Sequence, residues 1–140
     1  MLKTNFFGID NIQPVWGANF ENELSRSPMS LNLSRVHHLK YYSSDRISQY
    51  LGNGSAVFID YKSMLNDLFN EDEAIFYNSN DELIEKINYF SHNIDEVKNI
   101  ALNGWKKGHD KYNEKIITNY MLHKAFNKNI EITWPEVTYS

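Results

Sequence analysis

Arg35, His37, His38 and Lys40 crowd one short stretch of this chain, and Arg46 follows shortly after. Hydroxyls stand among them, at Ser34, Ser43 and Ser44. A guanidinium forks onto two oxyanion oxygens, a lysine adds a point charge, and a serine donates to phosphate. These residue types together describe anion binding, with a diphosphate as the fitting target for Arg46 and Lys40. Each has a plainer reading as well. Ser43 and Ser44 are good helix N-caps without any ligand. From the local sequence Arg46 reads at least as well as a solvated helix residue and Lys40 as a solvated loop lysine, and Ser34 and Arg35 as an ordinary loop after a strand.

The flanking residues say what must position this cluster. Ser30 to Ser34 alternates polar residues with Leu31 and Leu33 and reads as a strand. Ser44 precedes a helix with Ile47, Tyr50 and Leu51 on one face, which Gly52 ends. Ala56 to Ile59 is an apolar run and the next strand. The unit is β-α-β, so the basic loop faces the N-terminus of its own helix. Free backbone N–H groups and the helix dipole favour an anion there.

Further strands are expected at 3–9, 30–34, 56–60 and 74–77, all parallel in one sheet. Asn19 to Ser25 reads as a short helix, and the spacing of Met64, Leu65, Leu68 and Phe69 as one or two helical turns. Ser79 to Glu82 is a capping-box pattern before a helix with Leu83, Ile84, Ile87 and Phe90. Asp95 is expected to cap another helix, with Val97, Ile100, Ala101 and Trp105 on one face and Gly108 breaking it. Ile116, Ile117, Tyr120 and Phe126 mark a last helix, and a polar tail follows from Asn127. Strand-helix alternation argues for an α/β, Rossmann-like parallel sheet with flanking helices. The domain is expected over 1–126, with 127–140 as a tail.

Composition narrows the function. A chain of 140 residues has room for one modest domain. A net charge of −4 disfavours a general nucleic-acid surface. The absence of cysteine excludes disulfides and thiolate metal sites. No signal-peptide pattern and no apolar run of bilayer length occur, so a soluble cytoplasmic protein is expected, with no membrane span. His37 and His38 are adjacent, and His92, His109 and His123 have no ligand spacing, so no metal site is expected. Glu71-Asp72-Glu73 reads as a solvated loop. Trp16, Trp105 and Trp134 read as packing residues.

The ordered series resembles a known family. Asn32, Ser34 and Arg35 match a strand ending in N-x-S-R, and Arg46 matches the arginine of a helical R-x-x-E. Gly52 and Gly54 match a glycine turn, while Asp81 to Ile87 and Ile100 to Gly104 match two later helices. In that order these elements resemble the C-terminal donor-binding half of GT-B glycosyltransferases of the spore-maturation, CgeB-like group (glycosyl transferases group 1 type). The likeness runs from about Thr4 to Phe126.

The resemblance implies a glycosyltransferase fragment that binds a nucleotide-sugar donor through Ser34, Arg35, Lys40, Ser44, Arg46, Gln49 and Gly54. It implies no metal or other cofactor, and leaves the catalytic base, the acceptor and the donor's identity unassigned. The family's glutamate is Gln49 here, which hydrogen-bonds hydroxyls without a charge. The acceptor half and the first β-α unit of the donor half are expected to be missing, making the chain a fragment, a split enzyme or a relic that works with an N-terminal partner half. Two other readings stand beside it: a non-catalytic Rossmann-type nucleotide- or phosphate-binding module, and a flavodoxin-like interaction domain.

Overall fold

Gly17, at φ 54°, turns the chain into the first helix, α1 (Ala18–Ser25). The computed structural model describes residues 6–7, 10–34, 39–132 and 134–136. The strand expected at 3–9 lies outside the described residues apart from Phe6 and Phe7, which form no strand. After α1 come β1 (Met29–Asn32), α2 (Asp45–Gly52) and β2 (Ala56–Asp60). Two short 3-10 turns follow, Tyr61–Ser63 and Leu65–Asp67, where one or two helical turns were expected. Then come β3 (Ile75–Tyr77), α3 (Asn80–His92), α4 (Ile94–Lys111) and α5 (Glu114–Ala125).

The described strands form one parallel sheet in the order β1-β2-β3, with Asn32 beside Ile59 and Asp60 beside Tyr77. This is the α/β, Rossmann-like architecture that the alternation predicts. Strand side chains alternate between faces. Val57, Ile59 and Phe76 pack on one face with Ile47 and Leu51 of α2. Ala56, Phe58, Ile75 and Tyr77 pack on the other with Phe90 of α3 and Val97, Ile100 and Ala101 of α4. At the N-terminal end of the sheet, Ser55 Oγ bonds Ser30 Oγ at 2.8 Å and donates to Ser27 O at 3.3 Å, which sets the register of the first two strands.

Three local expectations need correction. Gly108 does not break α4, which continues to Lys111. A helical glycine costs about 1 kcal/mol against alanine, too little to end a packed helix; at Gly104 the close approach of Leu51 and of the Glu73 carbonyl offsets it. Asp95 is not the cap of α4; Asn93 holds that position, and Asp95 instead pairs with Lys98 at 2.9 Å in the first turn. Trp16 is no packing residue: it is 77 % exposed, because the short α1 that follows it buries only Leu24. Trp134, from the expected tail, packs its ring against Tyr112 and Tyr120.

Candidate functional site

The loop after β1 returns the chain to the start of α2, so the carboxyl end of β1 and the amino end of α2 meet. Ligands of open parallel sheets bind at this edge. Arg46, in the first turn of α2, reaches back to it. Its Nη2 donates to Leu33 O at 2.9 Å and its Nε to Ser44 Oγ at 3.2 Å. Ser44 occupies the N-cap position of α2 with extended backbone, but its hydroxyl makes no capping bond to a backbone N–H. The hydroxyl orients the guanidinium instead. Two of the three guanidinium nitrogens are thereby anchored, and Nη1 has no hydrogen-bond partner among the described residues. At a helix start the first backbone N–H groups have no intrahelical acceptor; here the Ile47 N–H donates to Ser44 O at 3.2 Å, and Asp45 places a carboxylate in the same turn.

Lys40 is held differently. Its ammonium lies 2.9 Å from Asp67 Oδ2, and the Tyr41 hydroxyl donates to the same oxygen at 2.7 Å. Lys40 also sits 4.6 Å from the centre of the Tyr41 ring. The Tyr41 hydrogen bond and then the Lys40 pair hold the Asp67 carboxyl below its usual range. Contact with Tyr41 and with Asp67 raises the Lys40 ammonium in turn. Tyr41 has φ 60°, and its backbone N–H donates to Ser63 O at 3.0 Å, so the end of the basic loop is fastened to the turns after β2.

The expected site residues thus fall into groups. Ser34, Ser44, Arg46 and Gln49 gather around the carboxyl end of β1 and the exposed face of α2, Gln49 lying one turn beyond Arg46. Lys40 belongs to the neighbouring Asp67 cluster. Gly54 stands apart, at the other end of α2, with φ 74° and Trp105 as its nearest neighbour. Arg35, His37 and His38 lie outside the described residues. Asp67 was not legible as a partner of Lys40, since 27 residues of chain separate them (67 − 40).

The acidic stretch has structural work. Glu71 accepts from the Tyr61 hydroxyl at 2.6 Å, Asp72 O accepts from Asn103 at 3.1 Å, and Glu73 meets Lys107 at 3.4 Å. Among the described residues no three His, Asp or Glu side chains gather as a metal site would require. No helix of those residues is long and apolar enough to cross a membrane. A groove of about 240 Å³ lies at the far end of the sheet between Pro28, Gly54, Lys98, Ala101, Leu102 and Trp105, away from Arg46 and Lys40. Its lining is mostly apolar and includes none of the expected site side chains.

With this geometry in place, comparison with known families is decisive at one level. The model of the family described as "Glycosyl transferase-like" matches residues 3–122. The chain belongs to that family. No curated protein and no solved structure matches it significantly. The matched span of this glycosyl transferase-like chain contains β1, α2 and β2 with Arg46, Lys40 and Asp67, and extends almost to the end of α5. The general enzyme class follows from membership, as do a sugar donor and an acceptor as the general substrate types.

Proposed function

We propose that this chain is the donor-binding part of a glycosyltransferase of GT-B type, close to the CgeB-like group, and that it takes a nucleotide-activated sugar. The observation that carries the reading is the Arg46 guanidinium. It is anchored by Leu33 O and Ser44 Oγ and leaves Nη1 beside the first turn of α2. A diphosphate at that point would meet a fixed positive charge and free backbone donors. In transfer, an acceptor hydroxyl attacks the anomeric carbon, the bond from that carbon to the diphosphate oxygen breaks, and negative charge grows on the leaving group. Arg46 and the α2 N-terminus would stabilise that charge, with Lys40 as a second, partly neutralised source. Gln49, one turn along, would meet the ribose. An N-terminal half would bind the acceptor and supply the base that removes its proton, and the diphosphate would be neutralised without a metal.

Calorimetric titration with pyrophosphate, uridine diphosphate and guanosine diphosphate tests the site, and sugar-nucleotide hydrolysis tests the chemistry. Binding abolished by Arg46→Ala supports the reading; binding indifferent to Arg46 removes it. Gln49 in place of the glutamate of the resembled family favours donor binding of altered strength or preference. Binding without hydrolysis or transfer would identify a non-catalytic binding module instead.

A further inference from the structure

Asn32 ends β1 and is only 3 % exposed. Its Oδ1 is buried without a hydrogen-bond partner, and no hydrogen bond of its carboxamide occurs among the described residues. Native proteins rarely leave a buried amide unpaired, because it loses its water and gains nothing. An apolar side chain would suit the folded sheet better there.

The register says which way Asn32 faces. Ser30 pairs with Val57 and Asn32 with Ile59. Val57 and Ile59 pack with Ile47 and Leu51 of α2, whereas Met29 and Leu31 pack on the opposite face with Phe58. Asn32 therefore shares the face that α2 covers. It does so at the end where α2 begins, because the carbonyl of the next residue, Leu33, accepts from Arg46 at 2.9 Å. An unpaired, buried carboxamide lies one peptide away from the anchored guanidinium.

The two demand different chemistry. Arg46 and the first N–H groups of α2 only donate, and an oxyanion satisfies them. Asn32 Oδ1 only accepts, and a hydroxyl satisfies it. A ligand meeting both is a phosphate ester with a hydroxyl close to the phosphate, not a bare anion. The last torsion of an asparagine is broad, so its amide turns toward such a hydroxyl at small cost.

We propose that Asn32 is a specificity-determining residue of this site, accepting a hydrogen bond from a sugar hydroxyl of the bound phosphate ester. The assignment rests on the donor-site reading above. Ribose and the transferred hexose both offer that hydroxyl. The probes are pyrophosphate, ribose 5-phosphate and glucose 1-phosphate, titrated into the isotopically labelled chain while the Asn32 side-chain amide resonance is followed. One of the two esters should move that resonance, which names the sugar, and pyrophosphate should not. Asn32→Val and Asn32→Leu should weaken that ester roughly tenfold and leave pyrophosphate unchanged. At least one of them should melt no lower than the parent chain without ligand, since an unpaired amide is lost. Lower melting in both variants would show that the amide serves the fold, and would overturn the inference. So would equal weakening of ester and pyrophosphate, or an Asn32 resonance that no ester moves. Pyrophosphate binding that depends on Arg46 while Asn32 stays silent would sink this inference alone. An Asn32 response to an ester with no role for Arg46, or no binding of any probe, would sink both, because the assignment rests on the anchored arginine.

Discussion

Arg46 donates to the carbonyl oxygen of Leu33 at 2.9 Å, across 13 residues of chain, and so ties the first turn of α2 to the carboxyl end of β1. The bond has two consequences. It closes the basic loop at its base, and it holds a positive charge at the edge where a parallel sheet receives its ligands. A free arginine would lose side-chain entropy on meeting an anion; this one has already lost part of it.

Arg46→Ala should therefore reduce pyrophosphate affinity at least tenfold, from loss of a charge-assisted contact of about 1.5–3 kcal/mol. Arg46→Lys should recover little, because an ammonium cannot hold Leu33 O and Ser44 Oγ and still present a free N–H face. Calorimetry on both variants checks this, and full recovery by lysine would show that charge alone matters.

Gln49→Ala should weaken nucleoside diphosphate much more than pyrophosphate, since its proposed partner is the ribose. Gln49 is exposed on α2, so the change should leave melting nearly unaltered. Parallel losses for the two ligands would remove Gln49 from the ribose.

Lys40→Ala should cost less anion affinity than Arg46→Ala, because Asp67 already neutralises the ammonium at 2.9 Å. Asp67→Asn should raise anion affinity several-fold by removing the carboxylate that neutralises the ammonium. Protonation does the same job. Asp67 has a depressed pKa, so its pairing is complete above the ordinary carboxylate range and is lost as pH falls through the lowered value. The affinity gain of Asp67→Asn should thus be full at neutral pH and shrink on acidification. An unchanged affinity in the asparagine variant would mean that Lys40 does not face the anion.

Gly104→Ala should destabilise the chain. A Cβ there would lie 2.4 Å from Glu73 O and 3.0 Å from Leu51 Cδ2, and the backbone oxygen cannot step aside. Overpacking of this kind costs about 1–3 kcal/mol. Thermal melting should show a clear drop for Gly104→Ala and little change for Gly52→Ala, whose added methyl meets nothing within 4 Å.

Glu82 supplies a second pH test. The Lys86 ammonium, followed by the Asn78 backbone and side-chain N–H groups, pulls its carboxyl down to about 2. A lowered carboxylate pKa stabilises the fold above the ordinary value and ceases to do so as pH falls toward the shifted one. Carboxyl NMR titration should find Glu82 among the last carboxylates to protonate, and Glu82→Gln should lose stability at neutral pH but not near pH 2. An ordinary titration midpoint would remove this contact from the start of α3.

Much of this molecule was legible in the chain because the signals are local. The apolar run Ala56 to Ile59 could only be a buried strand, and it is β2. Ser79, three residues before Glu82, announced α3, and its hydroxyl accepts from the Glu82 N–H at 3.2 Å. The spacing of Ile47, Tyr50 and Leu51 marked one face of α2, and Ile47 and Leu51 are buried there. Caps and periodicity act within a few residues, so they can be read without the fold. The tertiary structure decided what depends on strand order and helix crossing. Whether a helical glycine is needed for packing depends on the partner: at Gly104, Leu51 and the Glu73 carbonyl leave no room for a Cβ. Whether Lys40 carries free charge depends on Asp67, which the turns after β2 bring back to it. Asn32 was legible as the first residue of the N-x-S-R match but with no role; only the parallel register and the cover of α2 made it a buried amide without a partner. Sequence carries each side chain's chemistry and its local periodicity, while the pairing of distant segments sets its solvent and its neighbours, and those decide what that chemistry can do.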